Sequence, residues 1–327
     1  MRTIVRLAWN TCRECLREPV CYLMLLTAVA MNGIFPYFAL FVFRQQLKMT
    51  SDSAMAATLL FGLFAAVICA SHTISREMRN GTVLLLMSKP VSRLSFVLAK
   101  VLGMLLALGV FVLATASSAW IACLIAQDQF HLNDGLAIVF YAVLCVAALY
   151  GACCNYFLRR SFCSNAAAAT AVLLPILAVV AHAMRVAGMF RSGTSNPRDF
   201  LAAGELLPAL LLLLFAVWIM GTISAALAMR MEVVGNLLIC MLILAAGLVA
   251  RHFAVRLSGP DSSFALFAST LIPNWQNFWM ADALSNHARI PGSYLFWAGV
   301  YALLHMTGWT CWAYWLFRNN ELAKDAR

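Results

Sequence analysis

The residues whose types could do chemistry are few in this 327-residue chain, and poorly spaced for it. Cys12-Arg13-Glu14-Cys15 has the C-x-x-C spacing that holds zinc or cycles a disulfide. It lacks a second pair and a neighbouring histidine, so it reads as two small residues on a half-buried helix. Most of the eleven cysteines (Cys21, Cys69, Cys123, Cys145, Cys153, Cys154, Cys240, Cys311) lie within apolar runs, where a thiol behaves as a small hydrophobe. No external link holds a pair of them, so a disulfide framework is not supported. His305 in mid-span and His182 towards a span end could relay protons. The commoner role of a lone polar group there is a hydrogen bond to a neighbouring helix, and Asn32, Asn155 and Asn236 read the same way. Asp261, Asn274, Asp282 and His287 could be assembled into a membrane-embedded, lipid-modifying site, but loop polar residues are the default on a wet surface. The chain has no G-x-x-x-x-G-K-[ST], no H-E-x-x-H and no G-x-S-x-G. All thirteen acidic residues fall in links, tails or span ends, whereas an ion-coupled secondary carrier needs a carboxylate at membrane depth. No metal or cofactor is expected, and energy for any transport must enter from outside the chain.

The elements that would carry these residues are membrane helices. Hydrophobic residues make up 63% and charged residues 11% of the chain, with a mean hydropathy of +0.85. Soluble domains carry about 25% charged residues, so lipid is the solvent. Backbone groups in lipid must be satisfied within helices or a closed barrel. Continuous apolar runs of about twenty residues select helices. The fold class is an all-α polytopic membrane protein. Eight spans are expected, at about 20–43, 55–72, 97–126, 136–157, 164–183, 205–228, 233–250 and 294–317, in a single transmembrane domain over 19–327. Residues 1–18 form an amphipathic helix along the membrane face, with Trp9 near the headgroups. The run before Ala28-Val29-Ala30 imitates a signal peptide but continues to Phe43, which reads as an anchor.

The net charge of +10 reflects topology rather than nucleic-acid binding, since no basic surface interleaved with aromatics occurs. Most of the 23 basic residues fall on alternate links, among them Arg2, Arg6, Arg13, Arg17, Arg76, Arg79, Lys89, Arg93, Lys100, Arg159, Arg160 and Arg230. The positive-inside rule then puts both termini in the cytoplasm. The outer link 251–293 contains Leu271 to Trp279, where Trp275, Phe278 and Trp279 recur at helical spacing. An interfacial or re-entrant helix is expected there.

The loop 73–95 is the most specific segment. Arg76, Glu77 and Arg79 end a helix leaving the membrane, and Asn80-Gly81 breaks it. Thr82 can cap a short apolar helix from Val83 to Met87, and Pro90 stops it. A short helix with apolar knobs and flanking charges suits docking into a groove of another protein. It equally suits a solvated connection.

Glu77-x-x-x-Gly81-Thr82, followed by Leu84-Leu85-Leu86-Met87-Ser88-Lys89-Pro90-Val91-Ser92-Arg93 and Lys100, resembles the E-x-x-x-G-T-x-x-x-L-L-S-x-P-V-S-R…K signature of ABC type-2 transporter permeases. The opening helix with Arg13, Glu14, Glu18 and Pro19 is similar, as are the Arg159-Arg160-Ser161 turn and the tail Phe317-Arg318-Asn319-Asn320-Glu321-Leu322, with Asn320 in place of a basic residue. Pro273 to Trp279 with Ala281-Asp282-Ala283-Leu284 resembles longer bacterial members. The usual member has six spans rather than eight. The resemblance implies a transport subunit of the inner membrane that exports its substrate and pairs with a second permease copy or homologue. ATP would be bound and hydrolysed by a separate ATP-binding cassette subunit. Glu77, Arg79, Gly81, Thr82, Leu85, Pro90 and Arg93 would contact that subunit, and Arg6, Arg13, Glu14 and Glu18 would form a second contact helix.

Overall fold

The computed structural model describes residues 2–39, 42, 46–80, 92–126, 132–187, 203–258, 272–280 and 289–325. Arg2–Arg17 is α1 and Pro19–Ala39 is α2, where Pro19 costs the helix nothing because its first-turn N–H would have no intrahelical partner. Gln46–Ala70 is α3. A single π-helical turn, Ser71–Ser75, carries it without a break into α4, Arg76–Asn80. The central helix α5 is Arg93–Ile125, capped by the Ser92 hydroxyl accepting from Ser95 N. Helices α6 (Asp134–Leu158), α7 (Phe162–Val186), α8 (Ala203–Ala228), α9 (Val233–Ser258) and α10 (Gly292–Asp325) complete the bundle, with a 3-10 turn at Trp275–Phe278. The turn between α6 and α7 closes on Arg159 in the left-handed region (φ 50°), and Asn155 donates to the Arg160 carbonyl.

The described residues form a membrane protein of helices, as the composition requires. Six helices are long and apolar enough to cross a bilayer: Pro19–Ala39, Gln46–Met78, Arg93–Ile125, Asp134–Leu158, Phe162–Val186 and Leu206–Ala228. The other two expected spans differ from these. The apolar part of α9, Val233–Val249, covers only about 26 Å at 1.5 Å per residue. Helix α10 is 34 residues long but diluted by Tyr294, Tyr301, His305, Trp309, Trp312 and Tyr314. The second span begins nine residues before its expected start at 55, which places Asp52 inside α3 rather than in a link. Helix α9 also runs to Ser258, so the outer link is shorter than 251–293.

Helix α5 sits at the centre, packed by α1, α2, α3, α7, α8 and α10. Close approach depends on small residues, as is general where lipid supplies no hydrophobic drive between helices. A Cβ on Gly103 would collide with the Ala8 carbonyl oxygen and lie 2.6 Å from Thr11 Cβ, so α1 rests directly on α5. One end of the bundle gathers α1, the π turn, the start of α5, the α6–α7 turn and the α8–α9 corner. Contacts between Tyr22 and Phe162 (5.5 Å) and between Phe96 and Phe317 (5.6 Å) mark it.

Candidate functional site

The site forms where α1, α4 and α5 meet. Lys100, about two turns inside α5, is 6% exposed. Its Nζ lies 2.7 Å from Glu77 Oε1 and 3.4 Å from Glu14 Oε2. A buried ammonium needs such partners, because an unpaired charge in low dielectric is costly. Lys100 is thereby the joint between the emerging helix and the N-terminal helix. The two ends of the Glu77…Lys100 signature are in contact, so the intervening loop is pinned at its base.

A second charged contact lies beside it. His72 Nε2 stands 2.6 Å from Glu18 Oε1 and 3.1 Å from an Arg76 guanidinium nitrogen. The residues expected to serve one contact helix therefore divide. Glu14 and Glu18 turn inward to Lys100 and His72, whereas Arg6 and Arg13 are exposed on the opposite side of α1. Cys12 and Cys15 are buried, and burial pushes the Cys12 thiol up to about 11. Among the described residues, no three His, Cys, Asp or Glu side chains are placed to hold a metal ion.

The π turn connects this corner to the rest of the bundle. A π turn widens the helix by one residue and often marks a functional site. Its hydroxyl residues face inward: Ser71, Thr73 and Ser75 are all buried. Ser75 Oγ donates to the Met231 carbonyl at the α8–α9 corner (3.2 Å). Asn236 on α9, fully buried, donates to Ser224 Oγ (2.9 Å) and the Ser224 carbonyl (3.1 Å) on α8, and lies 3.5 Å from Ser71 Oγ. Serine and asparagine thus supply the interhelical bonds that an apolar sequence cannot.

Of the expected contact residues, Glu77 is placed as described, Arg79 lies on α4 with its side chain outside the described residues, and Arg93 is exposed as the first residue of α5. Gly81, Thr82, Leu85 and Pro90 lie outside the described residues. So do Asp261, Asp282 and His287 of the alternative outer site, while Asn274 caps the local turn by accepting from Gln276 N. Asn32 bonds across to α5 at the Thr115 carbonyl (3.2 Å) and Ser118 Oγ (2.7 Å). His305 Nδ1 stays on its own helix, 3.1 Å from the Tyr301 carbonyl oxygen, and His182 packs on Trp120.

Of the two expectations for the outer stretch, an interfacial or a re-entrant helix, the burial of its aromatic rings disfavours the first. Among its described residues Trp275–Phe278 is helical, as one 3-10 turn, and Trp275 and Phe278 are each 1% exposed. The reason is a set of hydrogen bonds to the bundle. Trp275 Nε1 donates to the Ile243 carbonyl, Gln276 Nε2 to the Leu248 carbonyl, and Tyr294 Oη to the Asn277 carbonyl. Gly247 gives the room, since a Cβ there would strike the Pro273 carbonyl and the Trp275 ring.

A comparison with curated proteins gives no match. The family model described as "ABC-2 family transporter protein" matches residues 27–250, more than half of the chain. This stretch includes α3, the π turn, the Glu77–Lys100 pair and the six long apolar helices from residue 27 onward. On that match the chain belongs to the ABC-2 family of transporters, as a multi-pass membrane permease component.

Proposed function

We propose that this chain is the membrane-spanning subunit of an ATP-driven exporter, worked from its cytoplasmic face by a separate ATP-binding cassette subunit. The observation that carries this reading is the Lys100 clasp, which ties the emerging helix to both α1 and α5. Residues 74–93 form the coupling element, and their outer part meets the partner. Glu77 acts behind that contact, as the anchor that stops the loop from yielding under load. When the ATP-binding subunits close, the push enters α4. The clasp passes it to α5 and α1, and the π turn passes it to α8 and α9 through Ser75 and Asn236. The spans then tilt, while hydrolysis remains in the partner. Both termini face the cytoplasm of the inner membrane, and a second permease copy or homologue completes the path.

The test is a pull-down of the tagged chain in mild detergent with an ATPase assay. The comparison is Glu77→Ala combined with Gly81→Leu. Co-purification of an ATPase that the double variant loses or uncouples is the expected result. Absence of any nucleotide-binding partner would defeat the reading.

A further inference from the structure

We propose that the outward row Arg6, Arg13 and Arg17 of α1, edged by Trp9 and Val5, docks on anionic phospholipid headgroups of the adjoining leaflet. The inference rests on the multi-pass membrane reading and not on the partner ATPase.

Helix α1 has four distinct sides. Ala8, Thr11, Cys12 and Cys15 are buried, and at Gly103 the helix touches α5. Seven- and eleven-residue spacings return to nearly the same angle at 3.6 residues per turn. Arg6, Arg13 and Arg17 therefore lie within about 40° of one another, opposite the packed side. All three are exposed. On one flank stand Trp9, 60% exposed, and Val5, 67% exposed. On the other flank Glu14 turns to Lys100.

An exposed tryptophan and valine beside a helix that lies against membrane spans are an apolar edge that seeks lipid. Tryptophan concentrates at headgroup level. The arginines follow that edge directly on the helix surface. Among the described residues no carboxylate pairs with any of the three, so the protein leaves their charge for another counter-ion. A planar guanidinium binds phosphate oxygens in bidentate fashion, and three in a row match a file of headgroups. Glu77, at the base of the coupling element, meets Lys100 on the Glu14 flank, away from the arginine row.

The full chain is placed in nanodiscs of phosphatidylcholine, with and without phosphatidylglycerol, and amide exchange of residues 2–17 is followed by mass spectrometry. In the wild type, phosphatidylglycerol should slow exchange about tenfold, given the attraction of anionic lipid for each basic residue at the surface. High salt should remove the difference, because headgroup charge is screened. The variant R6Q/R13Q/R17Q should exchange alike in both lipids while the spans keep their protection. Equal wild-type exchange in both lipids, or a difference that survives salt, overturns the proposal without any variant. A triple variant that keeps lipid selectivity but no longer retains the ATPase also overturns it, assigning the row to the partner. Loss of lipid selectivity with the ATPase still bound supports it and leaves the permease reading intact.

Discussion

At the α1 end of the bundle, helices distant in sequence meet through charge. Lys100 holds Glu77 and Glu14, and Glu18 holds His72. At the opposite end, the turn around Trp275 is also buried, but it is held by neutral hydrogen bonds to main-chain carbonyls and by ring packing of Phe278 on Tyr301 at 6.0 Å. A neutral plug fixes position and has one low-energy arrangement. A charged clasp can exchange partners, since Lys100 is shared between two carboxylates on two separate helices. The first arrangement suits a static seal, the second a joint through which force passes.

The sharpest way to break this contrast is to damage each end and compare stability with coupling. Trp275→Ala should cost about 3–5 kcal/mol, the range for deleting a buried tryptophan. Thermal unfolding in detergent measures it, and ATPase coupling in surviving protein should be unchanged. Lys100→Met should cost less, about 2–3 kcal/mol, because Glu77 and Glu14 keep some access to water while losing their counter-ion. It should nevertheless uncouple the ATPase. Adding Glu77→Leu should recover much of the stability and none of the coupling; a strictly additive double variant would show that the two groups do not interact.

Smaller effects refine the picture. Gly103→Leu should lift α1 from α5 at about 1–3 kcal/mol of overpacking, read out as new alkylation of Cys12 and Cys15. Asn236→Leu should cost about 0.6–1.7 kcal/mol, the range for a hydrogen bond between membrane helices, and lower coupling more than stability. In the intact chain Cys12 should resist iodoacetamide at neutral pH. Its thiol ionises only near 11, above the ordinary value of 9.0, so the reactive thiolate is scarce until the pH rises towards that value.

Much of this was legible in the residues. The apolar runs locate the six long helices, and the Glu77…Lys100 signature begins and ends on two of the three groups of the clasp. Asn32 and Asn236 were readable as interhelical glue, because an amide in hydrocarbon must find a partner. Asn155 invites the same reading, but it bonds the Arg160 carbonyl within the left-handed turn rather than a neighbouring helix. The π turn left no trace, for Ser71-His72-Thr73-Ile74-Ser75 fits an ordinary helix equally well. The spacing of Trp275, Phe278 and Trp279 suits a membrane interface as well as a buried plug. Only the carbonyls of Ile243 and Leu248, about thirty residues away in sequence, decide between them. The division of α1 into arginines outward and carboxylates inward was hidden for a similar reason: Glu14 and Arg13 are neighbours, and only the position of Lys100 shows which of them faces the protein.

The extra residue in the π turn has a consequence for anyone exchanging parts between relatives. It shifts the angular phase of everything downstream by about 100° relative to an unbroken α-helix. The residues that follow, Glu77 first among them, face Lys100 only in that shifted phase. A chimaera joined after Ser75 keeps the phase. One that rebuilds 71–75 as regular helix would carry every residue of the signature and point it the wrong way.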